Sequence, residues 1–195
     1  MQMIPINKKG EKVKKVLFVF MILFMTTGIW GCQKTGESND SLKQTGDSTS
    51  NVETQNAKNL APDFTLKLTD GKDIKLSDHK GKIVIIDFWA TWCPPCRRGI
   101  PDLVEIQKKY QEDVLIIGIS LDTETKPDVV PFIKQYKINY PVAYGNMEVV
   151  AAFGNIQAIP TSFIVDQSGQ IVDTHVGLVD KSAYINKINE LLKKS

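Results

Sequence analysis

The sequence predicts an α/β domain, with a central mixed β-sheet, helices on both faces and an N-terminal β-hairpin. Three observations predict it. Two nearly unbroken apolar runs, KIVIIDFW and VLIIGIS, read as strands covered on both faces. The segments following them carry apolar residues at helical spacing. Near the C-terminus, TSFIVD and GQIVDTHVG form a strand pair around QSG, and an amphipathic stretch closes the chain.

The elements follow in order. Across 61–82, alternating FTLKL, the turn TDGKD and then IKL predict the hairpin. GKIVIIDFW is the first buried strand. From Cys93 to about Tyr110, Ile100, Leu103, Val104 and Ile106 predict a helix. Pro94 and Pro95 fit its first turn, where their missing N–H groups are not needed. Pro101 lies inside it, removes the bond to the Arg97 carbonyl and predicts a kink. Gly99 loosens the same turn by roughly 1 kcal/mol relative to alanine. VLIIGIS is the second buried strand, PDVVPFIKQYKI a helix, PVAYG a short extended piece, and MEVVAAFG a short helix closed by Gly154. In DKSAYINKINELLKK, Asp180 is the expected N-cap, with Ile185, Ile188, Leu191 and Leu192 on one stripe. About 135 residues are enough for one core.

Three regions are expected: a targeting segment over 1–31, a tether over 32–59 and a folded domain over 60–195. Lys8, Lys9, Lys12, Lys14 and Lys15 crowd the front against Glu11 alone. The whole chain carries +2, but without 1–31 it has 19 basic and 21 acidic residues, net −2. The basic excess therefore belongs to the leader. The only arginines are Arg97 and Arg98. With no basic stripe and no aromatic-plus-basic repeat, nucleic-acid binding has no support.

The run from Val16 to Trp30 is shorter than the roughly 20 residues of a membrane-spanning helix. Behind a basic front it reads as an export signal. The end, IWGC, resembles a bacterial lipobox, in which Cys32 would be lipidated and become the new N-terminus; Trp30 is bulkier than that pattern usually holds. A plain cleaved signal and an uncleaved anchor are the alternatives. Residues 33–59 are Ser/Thr/Asn-rich and nearly free of large apolar groups, too polar to offset ordering entropy, which predicts a flexible tether.

Cys32, Cys93 and Cys96 are the only cysteines. If Cys32 carries lipid, the domain holds one pair in a compartment where disulfides persist. Cys93 and Cys96 alone cannot close a zinc site, which wants four ligands, and His79 and His175 stand isolated in sequence. A structural staple over so small a loop would restrict the unfolded chain very little. A redox pair is the stronger reading. Cys93, at a strand-to-helix turn, is the expected nucleophile: a helix N-terminus favours its thiolate, and Arg97 and Arg98 add positive potential. Pro94 and Pro95 remove two amide donors, so the depression of its pKa is expected to be moderate. Cys96, one turn further, is expected to be shielded and to resolve the mixed disulfide. No cofactor or metal is predicted.

WCPPC preceded by VIIDFWAT, with AIPTSFIVD further on, resembles the thioredoxin superfamily, and more narrowly the extracytoplasmic TlpA/ResA-type thiol–disulfide oxidoreductases. The resemblance covers about 60–195 and implies a thioredoxin-like fold. The N-terminal hairpin and the segment around 122–146, a central insertion, are similar to that branch's additions. It implies a cis bond at Ile159–Pro160, with Ile159 and Pro160 binding the substrate backbone. It implies that Trp92 packs beside the cysteines and contributes to substrate binding. Asp87, a carboxylate in a covered strand, must be paired or protonated. By resemblance it is the buried aspartate that takes the proton of Cys96, its own pKa raised; a carboxylate reaching solvent at the strand end is the alternative. Gly99 departs from the pattern: many members carry glutamate there, a residue implicated in work on apocytochrome c. Disulfide-bearing proteins are the implied substrates, and a membrane electron donor the implied partner. Reduction of client disulfides is the expected direction. The alternatives are a peroxiredoxin-like peroxidase, since the 61–82 hairpin also occurs there, and a copper or haem-assembly carrier using Cys93, Cys96 and His175.

Overall fold

A computed structural model describes residues 59–194. The targeting segment, Cys32 and nearly all of the tether lie outside the described residues.

The described residues form seven strands and four α-helices, with two 3-10 turns between them. The strands are β1 (Thr65–Lys67), β2 (Asp73–Lys75), β3 (Ile83–Trp89), β4 (Val114–Ser120), β5 (Val142–Tyr144), β6 (Thr161–Val165) and β7 (Ile171–Val176). The helices are α1 (Pro94–Lys109), α2 (Val129–Tyr136), α3 (Met147–Ala152) and α4 (Lys181–Leu192). The main sheet has the order β5-β4-β3-β6-β7. β3, β4 and β5 run parallel, while β6 and β7 are antiparallel to their neighbours.

β3 is buried along its whole length and sits at the centre. Successive side chains of a strand point to opposite faces. Ile83, Ile85 and Trp89 accordingly join α1, α2 and α4 in one core, with Ile100, Leu103, Ile106, Phe132 and Ile188. Val84, Ile86 and Phe88 join a second core with the hairpin and α3, including Leu66, Ile74, Phe153 and Phe163. Each such side chain contributes about 1.5–3 kcal/mol on burial. Asp87 keeps step with Ile83 and Ile85, so the alternation of β3 aims it at the α1 and α4 side.

The hairpin strands are shorter than FTLKL predicts, because Leu68 leaves β2 and bridges Ala143 on β5. The Thr69 amide donates to the Val142 carbonyl (2.9 Å), so the hairpin covers the outer side of β5. β5 pairs with β4 only from Gly118 onward. Further down, the buried side chain of Gln107 takes the place of a strand: its Oε1 accepts from the Ile116 amide (2.7 Å) and its Nε2 donates to the Val114 carbonyl (3.0 Å).

The helix predicted over PDVVPFIKQYKI divides into a 3-10 turn, Lys126–Asp128, and α2. It stops at Tyr136 because Lys137 adopts a left-handed conformation (φ 54°). Gly154 follows α3 with φ 86°, a conformation glycine adopts without steric cost. Asp180 does cap α4, but its side chain makes no capping bond. The stripe of α4 is rotated slightly from expectation: Tyr184, Ile188 and Leu191 are buried, whereas Ile185 and Leu192 pack at the edge. No described helix is long and apolar enough to cross a membrane.

Candidate active site

β3 ends at Trp89 and the chain turns sharply into α1. Cys93 occupies the N-cap with extended backbone (φ −87°, ψ 107°), and its carbonyl accepts the first helical bond, from Arg97 N–H (3.1 Å). Pro94 and Pro95 have no N–H to offer. Cys96 therefore supplies the first free amide, which donates to Cys93 Sγ at 3.2 Å. The sulfurs of Cys93 and Cys96 are joined in a disulfide (S–S 2.06 Å, Cα–Cα 5.3 Å). α1 continues through Pro101 to Lys109. Cys93 is no more exposed than Cys96, both at 2% in the oxidised state. What separates them is direction. Cys93 Sγ lies 3.6 Å from the Ile159 carbonyl oxygen, whereas Cys96 lines a small cavity together with Asp87.

Asp87 is 3% exposed, which removes the alternative of a carboxylate reaching solvent. Its Oδ1 accepts one hydrogen bond, from Ser162 Oγ at 2.7 Å. Burial pushes its pKa up to about 7, and the Ser162 bond restrains the rise. The cavity it shares with Cys96, Gly99, Pro160, Leu178 and Tyr184 measures about 20 Å³. A space of that size has room for roughly one water.

The loop before the cysteines is pinned by a carboxylate that sequence reasoning missed. Asp122, buried at the end of β4, accepts from Thr91 N–H (3.0 Å), Thr91 Oγ1 (2.5 Å), Ser120 Oγ (2.8 Å) and Thr125 Oγ1 (2.6 Å). In SLDTET it looks like an ordinary loop acid, and only the count of neighbouring hydroxyls hinted otherwise. Ser162 and Tyr184 were also missed; the one signal was a hydroxyl residue inside a buried apolar strand.

The Ile159–Pro160 bond is cis, and the Ile159 carbonyl faces the cysteines. Trp92 is 59% exposed, so it stands out from the site into solvent and is not a core residue. Arg97 is drawn towards α2, its Nε donating to Tyr136 Oη at 2.9 Å. At Gly99 a Cβ would lie 3.0 Å from Leu178 Cδ1, so an apolar side chain covers the position where a glutamate was expected from resemblance. His175 packs edge-on against Tyr184 (5.2 Å between ring centres) on β7. Among the described residues no group of three or more His, Cys, Asp or Glu side chains is arranged to hold a metal.

The AhpC/TSA family model matches residues 57–174. The chain is 38% identical over 132 residues to the thiol–disulfide oxidoreductase ResA of Bacillus cereus, covering 66% of this chain and 76% of the relative. It is 34% identical over 131 residues to the thioredoxin-like protein YneN of Bacillus subtilis, again covering 66% of this chain and 76% of the relative. Among solved structures, a thioredoxin-family thiol:disulfide interchange protein from Chlorobium tepidum matches with TM-score 0.64 and 36% identity, covering 69% of this chain and 96% of that one. The exposed lipoprotein thioredoxin of Streptococcus pneumoniae matches with TM-score 0.59 and 33% identity, covering 67% and 100%. A mixed sheet that delivers a Cys-x-x-Cys turn to a helix N-terminus thus has its relatives: the chain belongs to the thioredoxin-like AhpC/TSA family and is a thiol–disulfide oxidoreductase.

Proposed function

We propose that the protein reduces disulfides of protein clients outside the cytoplasm, with Cys93 as nucleophile, Cys96 as resolving thiol and Asp87 as proton acceptor. The observation that carries this assignment is the asymmetry of the pair: Cys93 caps α1 and faces the Ile159 carbonyl, while Cys96 shares a cavity with Asp87. In the reduced protein, Cys93 thiolate attacks a client disulfide, forming a Cys93–client bond and releasing one client thiolate. Cys96 gives its proton to Asp87 and attacks Cys93 Sγ. The Cys93–Cys96 disulfide forms, the second client thiolate leaves, and two electrons have passed to the client. The released thiolates take up protons, one of them by way of Asp87.

The N-terminus of α1 supports the reducing direction. With proline at its first two positions, one amide alone reaches Cys93 Sγ, which limits stabilisation of the thiolate. Strong oxidants of this chemistry owe their power to a stabilised reduced form. Ile159 and Pro160 would receive the client backbone, and the exposed Trp92 ring would cover client side chains. Leu178 over Gly99 leaves the site without the glutamate associated with apocytochrome c, so general envelope thiol maintenance is favoured over a dedicated haem role.

The export-type leader, Cys32 and the polar tether support attachment to a membrane surface through lipid. One solved relative is itself described as an exposed lipoprotein. A membrane electron donor would regenerate the dithiol. Two experiments test the proposal. Cys96→Ser should trap clients as mixed disulfides on Cys93, and membranes should reduce the purified oxidised protein. Trapping on Cys96 in a Cys93→Ser variant, with none on Cys93, would reverse the assignment. Failure of every membrane fraction to reduce the protein would remove the donor.

A further inference from the structure

Ser162 and Asp87 stand opposite each other in the antiparallel pairing of β6 with β3. Ser162 Oγ donates to Asp87 Oδ1 (2.7 Å) and lies 2.8 Å from Tyr184 Oη. A serine hydroxyl carries one proton. When Asp87 is ionised that proton goes to Oδ1, so Tyr184 must donate to Ser162. The three groups then form a chain of fixed direction, from Tyr184 through Ser162 to Asp87. Among the described residues Ser162 alone hydrogen-bonds the Asp87 carboxyl, through Oδ1, and Asp87 lines the cavity containing Cys96.

We propose that Ser162 and Tyr184 are positioning residues that engage Oδ1 of Asp87 and thereby reserve Oδ2 for the proton of Cys96. The inference rests on the reading of Asp87 as proton acceptor. Among the described residues, the remaining groups around Asp87 leave this chain as its only hydrogen-bonding restraint. Tyr140, which precedes β5, is buried and its hydroxyl has no partner. Its pKa is pushed well up by burial and by the charge of Asp87. Tyr184 is pushed up to about 12 by the same two causes, so it stays a phenol and keeps a proton to donate to Ser162. Asp102 of α1 lines the same cavity but pairs with Lys181 of α4 at 3.5 Å, and Lys181 also bonds Glu105. From β7, His175 faces the Tyr184 ring and has Asp173 3.9 Å from its Nε2. No cation among the described residues is paired with Asp87.

A hydrogen bond to a carboxylate favours its ionised form. Without Ser162 Oγ the carboxylate holds its proton to higher pH, and fewer molecules have a free base near neutrality. The test uses the reduced full chain carrying Cys32→Ser, so that Cys93 and Cys96 are its only thiols. It is mixed with an aryl disulfide whose thiolate absorbs light. The first thiolate released reports attack by Cys93. The second reports proton transfer from Cys96, its attack on Cys93 Sγ and departure of the aryl group.

In Ser162→Ala the pH profile of the second release should move to higher pH, with about a tenfold loss of rate on its acid side. Ser162→Thr should restore the profile, and Tyr184→Phe should shift it in the same direction by less. Combined with Asp87→Asn, Ser162→Ala should add nothing. A uniform slowing with an unmoved profile, or no rescue by threonine, would overturn the positioning role while leaving Asp87 as acceptor. If Asp87→Asn itself leaves rate and profile intact, the reading of Asp87 falls, and this inference with it.

Discussion

Asp87→Asn should make the oxidised protein more stable above neutral pH while leaving it nearly unchanged in acid. The carboxyl titrates at about 7 when folded and near 3.8 when free of the fold. Below pH 4 the native and unfolded chains both carry the proton. Between those values only the native chain keeps it, so the native state binds more protons and stability falls as pH rises. Above pH 7 the fold holds a buried charge. Each pKa unit is worth about 1.4 kcal/mol, so the loss between pH 4 and pH 8 is about 4 kcal/mol. Asparagine fills the same volume and has no such dependence. The assay is denaturant unfolding of both proteins, disulfide intact, at several pH values. Their difference should grow by about 4 kcal/mol from pH 4 to pH 8, because the exposed carboxylates common to both cancel. A difference that stays flat with pH would refute the burial reasoning.

Other sites give separate checks. Gly118→Ala would bring a Cβ 2.9 Å from Trp89 Nε1 and 3.2 Å from the Tyr140 ring, so it should destabilise by about 1–3 kcal/mol, read from the unfolding midpoint. Gly99→Ala meets only the end of Leu178, a side chain in a 44% exposed residue that can swing aside. It should therefore stabilise α1, by up to about 1 kcal/mol in the same assay. Trp92→Ala should alter stability by no more than about 0.5 kcal/mol, yet raise KM for a protein disulfide in a steady-state reductase assay.

The buried strands were legible because a strand covered on both faces leaves an apolar run, and β3 and β4 are such strands. Asp87 was legible for the same reason, as the single charge in IVIIDFW. The cysteine turn was legible from its spacing and prolines. Ser162 was not, because its meaning depends on the pairing of β3 with β6, which places it opposite Asp87. Tyr184 was hidden by the rotation of α4: the apolar stripe could be counted, but which flank faced β6 could not. Asp122 escaped because a carboxylate among hydroxyl residues looks the same in a loop and in a closed cluster. Resemblance places Trp92 beside the cysteines; its exposure depends on how the turn before α1 is oriented, which the sequence does not carry. In each case the missing knowledge was a distance between segments far apart in sequence.

Gln107 has a consequence for how these molecules behave when crowded. Where β5 stops short, the rim of the main sheet would present a bare amide and carbonyl to any passing extended chain. The glutamine carboxamide fills that rung from within the same molecule, as a neighbouring peptide group would. The protein thus carries its own stopper against growth by strand addition, a hazard common to open sheet margins. Gln107→Leu would unplug it, and light scattering on concentrated samples should then reveal self-association that the parent does not display.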